Sequence, residues 1–225
     1  MTYFRSLYQR VYRRVRDEFF PTTHPFDCIN GVDTSGTLSL WRLDISSPNR
    51  RQGRDYQGVE PGRFEDALNE IREDFARFTF VDLGCGKGRA LVMAHRLGFR
   101  RLIGVEFSAQ LAETANRNLA KLRLTNIEVL VQDVAEYRFP AGPLVVFSFN
   151  SFGPEILKQV LSNLRSCNDT LYFAYVNPLH DATIAADGFL TAIRCGRFHS
   201  VWHFEPVRNN PVSGPAPPRQ LNYVT

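Results

Sequence analysis

The sequence predicts an α/β domain built on a mostly parallel β-sheet. Short apolar runs alternate with segments of helical periodicity between residues 64 and 207, which is typical of successive strand–helix units. The run at residues 144–150 is apolar almost throughout, as in a strand buried on both faces of a sheet. The chain has 225 residues, enough for one such domain and a preceding N-terminal segment.

The most informative segment is residues 80–89, Phe-Val-Asp-Leu-Gly-Cys-Gly-Lys-Gly-Arg. A strand at residues 78–81 leads to Asp82, and three glycines follow at alternate positions, Gly84, Gly86 and Gly88. Glycine adopts positive φ angles and leaves no Cβ in the way of an approaching group. We therefore expect a tight turn that something approaches closely, followed at once by a helix.

Two other phosphate-binding turns do not fit this segment. A dinucleotide-binding turn would place its third glycine at position 89, which is Arg89. A P-loop needs Ser or Thr after Gly-Lys, but Gly86-Lys87 is followed by Gly88. A plain turn without a ligand stays open at this point.

The next two predicted strands both end in a carboxylate. Residues 101–107 contain Glu106, 22 residues after Gly84, where a carboxylate can accept hydrogen bonds from both hydroxyls of a ribose. Residues 127–133 end at Asp133, with Gln132 beside it. Asp133 alone could equally cap a helix or a turn. Three acids at three successive strand ends favour a nucleoside-type ligand.

The remaining elements follow from periodicity and capping. Ser108 is a candidate N-cap, and Pro154 suits the first turn of a helix. We predict helices at about 64–77, 109–122, 154–164 and 179–187, and further strands at 144–150, 170–177, 190–195 and 200–207.

Residues outside this region divide into an N-terminal segment, 1–63, and a proline-rich tail, 208–225, which is expected to be extended. Residues 3–20 predict an amphipathic helix that carries five arginines. Residues 21–63 are irregular and polar, and we expect part of them to form a lid. Candidate lid contacts are residues 31–36 and Tyr56.

Composition excludes some classes of protein. No apolar stretch reaches the roughly 18 residues of a membrane-spanning helix, and the N-terminus lacks the apolar core of a signal peptide, so we expect a cytoplasmic protein. The four cysteines form no Cys-x-x-Cys pair, and no metal site is predicted. The net charge of +4 leaves a nucleic-acid partner possible but not favoured.

The acidic residue followed by Gly-x-Gly-x-Gly resembles motif I of the class I S-adenosylmethionine-dependent methyltransferases. The resemblance implies S-adenosyl-L-methionine as cofactor and a seven-stranded Rossmann-like sheet, mostly parallel and closed by a C-terminal antiparallel hairpin. It also implies that Asp133 contacts the adenine amino group and that methyl transfer takes place near the end of the strand at 144–150. The cofactor-binding residues expected from it are Asp82, Gly84, Cys85, Gly86, Gly88, Glu106, Phe107, Gln132, Asp133 and Asn150.

The implied activity is methyl transfer to an acceptor that the sequence does not identify, either a protein lysine or a small molecule. A looser likeness of residues 104–108 to lysine methyltransferases keeps the first class open. Asn150, Asn177 and Tyr56 could orient the acceptor, and Asp33 could take its proton. The alternative is a non-catalytic sensor or partner subunit that binds the cofactor or its demethylated product, S-adenosylhomocysteine.

Overall fold

The structure is a computed structural model that describes residues 23–206. The predicted basic helix at 3–20 and the proline-rich tail at 208–225 lie outside these residues. The strands are β1 (Thr37–Leu38), β2 (Tyr56–Gln57), β3 (Thr79–Leu83), β4 (Arg101–Glu106), β5 (Ile127–Val131), β6 (Leu144–Phe149), β7 (Leu171–Val176), β8 (Thr191–Cys195) and β9 (His199–Phe204). The α-helices are α1 (Pro25–Asn30), α2 (Pro61–Leu68), α3 (Arg89–Arg96), α4 (Ala109–Lys121), α5 (Pro154–Leu164) and α6 (Asp181–Asp187).

Seven strands form one sheet in the order β5-β4-β3-β6-β7-β9-β8. The first five of these strands are parallel, whereas β9 is antiparallel to β7 and to β8. The predicted fold class, a mostly parallel sheet with a C-terminal antiparallel hairpin, is thus confirmed. Because β3 has β4 on one side and β6 on the other, the chain order reverses between β3 and β6, and a crevice opens there at the carboxyl ends of the strands.

Apolar side chains cover both faces of the sheet, as the continuous apolar strands require. One cluster packs under α2, α3 and α4, and a second packs under α5 and α6. In the first cluster the ring of Phe64 from α2 meets Phe80 of β3 and Phe147 of β6, at centroid distances of 6.1 and 5.2 Å. Helix α2 is thereby fixed to the middle of the sheet.

The helix predicted at 64–77 is too long, because α2 ends at Leu68. The apolar periodicity continues to Ile71, which is buried, but Asp74 adopts an extended backbone and its side chain accepts a hydrogen bond from the amide of Ala76. That local bond starts a separate 3₁₀ turn, Phe75–Arg77, instead of continuing the α-helix.

The description of residues 21–63 as irregular is also wrong in part. Within the described residues, Pro25 opens helix α1 after the N-cap His24, and β1 pairs with β2 as a small antiparallel sheet. Two 3₁₀ turns, Leu40–Arg42 and Pro48–Gln52, lie between these strands. Capping by His24 and Ser47 is short-range and polar, so it leaves no apolar periodicity in the sequence.

Replacing Phe64 by alanine tests whether α2 is fixed by this aromatic cluster. Phe64 is 1% exposed, so Phe64→Ala should lower the free energy of unfolding by about 3–5 kcal/mol, as measured by urea denaturation. Leu179→Ala is the control, because Leu179 is 61% exposed and should change stability by no more than about 0.5 kcal/mol. Equal effects of the two substitutions would contradict the packing described.

Candidate active site

Residues 84–88, called here the glycine loop, join β3 to α3. The amides of Gly84 and Cys85 donate to the carbonyl of Val105 in β4, at 2.8 and 3.1 Å. Gly84 and Gly86 have φ angles of +79° and +54°, in the left-handed region that favours glycine. A Cβ on Gly86 would lie 2.3 Å from Cε2 of Tyr56, so the backbone is in direct contact with that ring.

Two carboxyl groups are buried beneath the glycine loop. The Glu106 carboxylate accepts hydrogen bonds from the amides of Gly86 and Ser108, both at 2.9 Å. Burial raises the pKa of Glu106 to about 7, although hydrogen bonds from the amides of Ser108, Gly86 and Phe107 oppose the shift. Burial, reinforced by the charge of Glu106, also raises the pKa of Asp82 well above its usual range.

A cavity of about 300 Å³ lies at the carboxyl ends of β3, β4, β6 and β7, within the size range of small-molecule sites. One wall holds Gly84, Gly86, Glu106 and Phe107, and the opposite wall holds Phe149, Asn150, Ser151 and Asn177. Residues 40–57, called here the cover segment, contribute further lining residues, namely Leu40, Arg54, Asp55, Tyr56 and Gln57. The glycine loop and the predicted acceptor side therefore share this cavity.

Asn150 and Asn177 follow directly after β6 and β7, and both have left-handed backbones with φ of +43° and +54°. Outside glycine such backbones are uncommon, though asparagine tolerates them best. The amide oxygen of Asn150 accepts a hydrogen bond from the hydroxyl of Tyr175 at 3.3 Å. Two strained asparagines at neighbouring strand ends, both lining the cavity, are a pattern found at functional sites.

Asp133 lies two residues beyond the end of β5, in a turn where its carboxylate accepts from the amide of Ala135 at 2.9 Å. The same carboxylate accepts hydrogen bonds from the hydroxyl of Ser47 and from the side-chain amide of Asn49, the latter at 3.0 Å. It borders a second cavity of about 30 Å³, between Phe107 and Ile156. Gln132 donates to the carbonyl of Glu136 and does not line either cavity.

Tyr56 and Asp33, the other two residues predicted to act on the acceptor, lie in different surroundings. The ring of Tyr56 lines the large cavity, but its hydroxyl donates to the carbonyl of Thr34 at 2.7 Å, and burial raises its pKa, so the phenol stays neutral. Asp33 does not line that cavity and pairs with Lys87 at 2.7 Å.

Cys85 and Gly88 belong to the glycine loop but do not line the large cavity. The Cys85 thiol lies against Gly104 of β4, and burial raises its pKa, which keeps it protonated. Gly88 is the N-cap of α3 and faces Ala115 of α4.

Sequence reasoning missed Leu40, Arg54 and Asp55 as residues of the cavity. They lie in the cover segment, where the sequence carries no periodicity, so no local signal could have placed them above the glycine loop. Among residues 23–206 no group of three or more His, Cys, Asp or Glu side chains could hold a metal ion. Over that same range, no helix has the length and apolar character needed to span a membrane.

Comparisons with known proteins agree with this geometry. Residues 80–168 match the sequence model of a family described as a methyltransferase domain. A segment of 66 residues, 29% of this chain, is 48% identical to a geranyl diphosphate 2-C-methyltransferase of Streptomyces coelicolor and covers 23% of that protein. Another of 89 residues is 27% identical to an uncharacterised protein of Methanocaldococcus jannaschii, covering 40% of each. The chain thus spans well under half the length of these curated relatives.

Solved structures share the fold at low identity. The N-methyltransferase NodS of Bradyrhizobium japonicum has a TM-score of 0.51 at 13% identity, over 64% of this chain and 95% of that one. A putative RNA methyltransferase of Pyrococcus horikoshii has a TM-score of 0.50 at 16% identity, over 76% of this chain and 94% of that one.

The strand order, the glycine loop and the cavity where the chain order reverses define a Rossmann-like nucleotide-binding domain. Residues 80–168 match the model of a methyltransferase domain, and this part of the chain resembles the class I S-adenosylmethionine-dependent methyltransferases.

The raised pKa of Glu106 predicts that ligand binding releases a proton. Ribose hydroxyls donate to the ionised carboxylate, so S-adenosylhomocysteine should bind the form of Glu106 that predominates above its pKa of about 7. Affinity should therefore rise as the pH rises through 7 and then level off. Calorimetry at pH 7 in two buffers of different ionisation enthalpy measures the released proton.

Glu106→Gln should abolish this proton release, whereas the exposed Glu113→Gln, on α4, should preserve it. Proton uptake, or binding heats that do not depend on the buffer in the unmodified protein, would contradict the assignment.

The contact between Gly86 and Tyr56 predicts that the glycine loop does not tolerate a side chain. Gly86→Ala would place a methyl 2.3 Å from the Tyr56 ring on a left-handed backbone, and affinity for S-adenosylhomocysteine should fall at least about tenfold. Gly62→Ala, in α2, has no atom within 4 Å of the new Cβ and should leave affinity unchanged. Calorimetry on both variants checks the result, and unchanged affinity in Gly86→Ala would show that the loop does not contact the ligand.

Proposed function

We propose that this protein transfers a methyl group from S-adenosyl-L-methionine to a small-molecule acceptor. The observation that carries the proposal is the cavity of about 300 Å³ shared by the glycine loop, by Glu106 and by two strained asparagines. A donor held on the first wall and an acceptor held on the second would face each other without crossing solvent. Holding two reactants in this way is the main contribution of a protein to such a reaction.

The cofactor side of the cavity fits an adenosyl compound. Gly84 and Gly86 present bare backbone to the cavity. The Glu106 carboxylate keeps acceptor capacity beyond its hydrogen bonds from backbone amides, so it can accept from a ribose hydroxyl. The Phe107 ring lies beside it and borders both cavities. When bound, the cofactor supplies a methyl group on a positively charged sulfur that is itself the leaving group.

The acceptor side is formed by Asn150 and Asn177, whose amides can donate to or accept from an acceptor. Tyr56 contributes its ring as a wall that excludes water, because its hydroxyl already donates to Thr34. Asp33 remains our proposed proton acceptor from the sequence, and it would have to leave Lys87 to act. Asp55, by contrast, lines the cavity itself.

A small molecule is preferred to a protein lysine for two reasons. The cavity, which the cover segment helps to line, has a volume of about 300 Å³, which suits a small acceptor. The curated relative with 48% identity over 66 residues is named for a small-molecule acceptor, geranyl diphosphate. The second reason supports the class of acceptor and does not identify the compound.

The test is transfer of labelled methyl from S-adenosyl-L-methionine to a cell lysate that is separated into small molecules, protein and nucleic acid. Label in the small-molecule fraction supports the proposal. Label on protein lysines would retain the methyltransferase and overturn the acceptor class. Binding of S-adenosylhomocysteine with no labelled fraction would favour the alternative of a non-catalytic sensor or partner subunit.

Asn150 should act on the acceptor and not on the cofactor. Asn150→Gly removes the side chain and relieves the left-handed backbone at φ +43°, so turnover should fall about tenfold or more while affinity for S-adenosylhomocysteine is retained. Arg123→Gly is the matched control, since Arg123 is exposed beyond the end of α4 with φ of +57°. Loss of affinity equal to the loss of turnover would place Asn150 on the cofactor side.

A further inference from the structure

Arg89 is the first residue of α3 after the glycine loop and is 4% exposed. Each of the three nitrogens of its guanidinium donates a hydrogen bond. Its Nε donates to the hydroxyl of Thr34 at 2.8 Å, and one terminal nitrogen donates to the carbonyl of Thr34 at 3.0 Å. The other terminal nitrogen donates to the carbonyl of Val59 at 3.2 Å. A buried guanidinium is tolerated when its donors are satisfied in this way.

Asp27 of α1 completes the arrangement from the other side of Thr34. Its carboxylate accepts from the amide of Thr34 at 2.7 Å, from the Thr34 hydroxyl, and from the hydroxyl of Ser35 at 2.6 Å. It lies 3.8 Å from the Arg89 guanidinium. Burial alone would raise the pKa of Asp27, but the hydrogen bonds from Ser35 and Thr34 and the charge of Arg89 lower it. Thr34 is thus held between two buried opposite charges.

The carbonyl of Thr34 that accepts from Arg89 also accepts from the hydroxyl of Tyr56. The Tyr56 ring, in turn, lies on the bare backbone of Gly86. A continuous path therefore runs from the helix after the glycine loop, through residues 27–34, to the ring that covers the loop.

The planar guanidinium group of an arginine is needed to reach these three acceptors at once. Three separate donors reach the hydroxyl and carbonyl of Thr34 and the carbonyl of Val59, and a lysine ammonium cannot reproduce that planar spread. Lys87 makes a second, more exposed connection to residues 33–35 through Asp33 and the carbonyl of Ser35. Both side chains are buried, but the Asp33 partner of Lys87 is exposed, whereas the partners of Arg89 are backbone carbonyls and the buried Thr34.

We propose that Arg89 is a positioning residue which, through Thr34, holds the Tyr56 ring against the glycine loop and so sets the affinity for the cofactor. The inference rests on the proposed function, because it assumes that the adenosyl compound binds in the cavity that the glycine loop and Tyr56 line together. It gives a role to the residue that excluded a dinucleotide-binding turn.

The test is a double-mutant cycle with S-adenosylhomocysteine as the calorimetric probe. Arg89→Met removes all three donors, and Tyr56→Phe keeps the ring but removes its bond to Thr34. Each single substitution should weaken binding about fivefold to tenfold, and the double variant should bind no more weakly than Arg89→Met alone. Arg89→Lys should recover little of the loss.

Arg96→Met is the matched control, since Arg96 lies on the same helix and bonds Asn30 of α1 but does not reach Thr34; it should leave affinity unchanged. If Arg89→Met does not fold, Thr34→Val replaces it in the cycle, because valine removes the hydroxyl that joins Asp27 to Arg89.

Two outcomes would overturn the inference in different ways. Additive losses of affinity in the cycle, with the unmodified protein binding the probe, would show that Arg89 does not act through Tyr56. The proposed function would then remain intact. Failure of the unmodified protein to bind S-adenosylhomocysteine would overturn the proposed function and this inference with it.

Discussion

Close approach to the backbone after β3 is the constraint on which the rest of the site depends. Gly84 and Gly86 have left-handed backbones, and Ser151 and Tyr56 occupy the space where their side chains would be. Any Cβ there would push these neighbours away and break the wall of the cavity. The parallel strands on either side of β3 hold this turn in place, since the amides of Gly84 and Cys85 bond to Val105 of β4.

Buried charge connects this turn to the N-terminal part of the described chain. Glu106 lies under the glycine loop and bonds the amide of Gly86, while Arg89 and Asp27 hold Thr34 behind it. Such groups are costly to bury unless each finds partners, so their presence ties segments that are far apart in sequence. Residues 27–59 are therefore joined to the cofactor side of the domain by buried polar contacts as well as by the apolar packing of Leu43 and Ile45 with Leu111.

The sequence predicts what is local and periodic. The alternating strands and helices, the left-handed glycine turn and the N-cap at Ser108 all leave local signals, and the Ser108 hydroxyl does accept from the amide of Leu111. The end of α2 was missed because Asp74 forms a cap of its own inside an apolar period. The ion pair of Asp33 with Lys87 joins residues 54 positions apart, so the sequence around either residue does not predict its partner.

The residues of the candidate site that lie at strand ends could be predicted from the sequence, whereas those of the cover segment could not. The cavity lining at Gly84, Gly86, Glu106 and Asn150 lies at strand ends, where topology alone brings residues together. Arg54 and Asp55 line the same cavity from a segment whose course is set by capping and hydrogen bonds. Their contribution depends on three-dimensional contacts that a single sequence does not encode locally.

The hydrogen bonds from Ser47 and Asn49 to Asp133 have a kinetic consequence. They occupy acceptor positions on a carboxylate that the family resemblance assigns to adenine, and Asn49 also borders the narrow space beside it. An incoming base must exchange these internal partners for its own, so part of the favourable enthalpy of docking is offset by the bonds it displaces. A base that takes over these positions would therefore associate more slowly than diffusion alone allows.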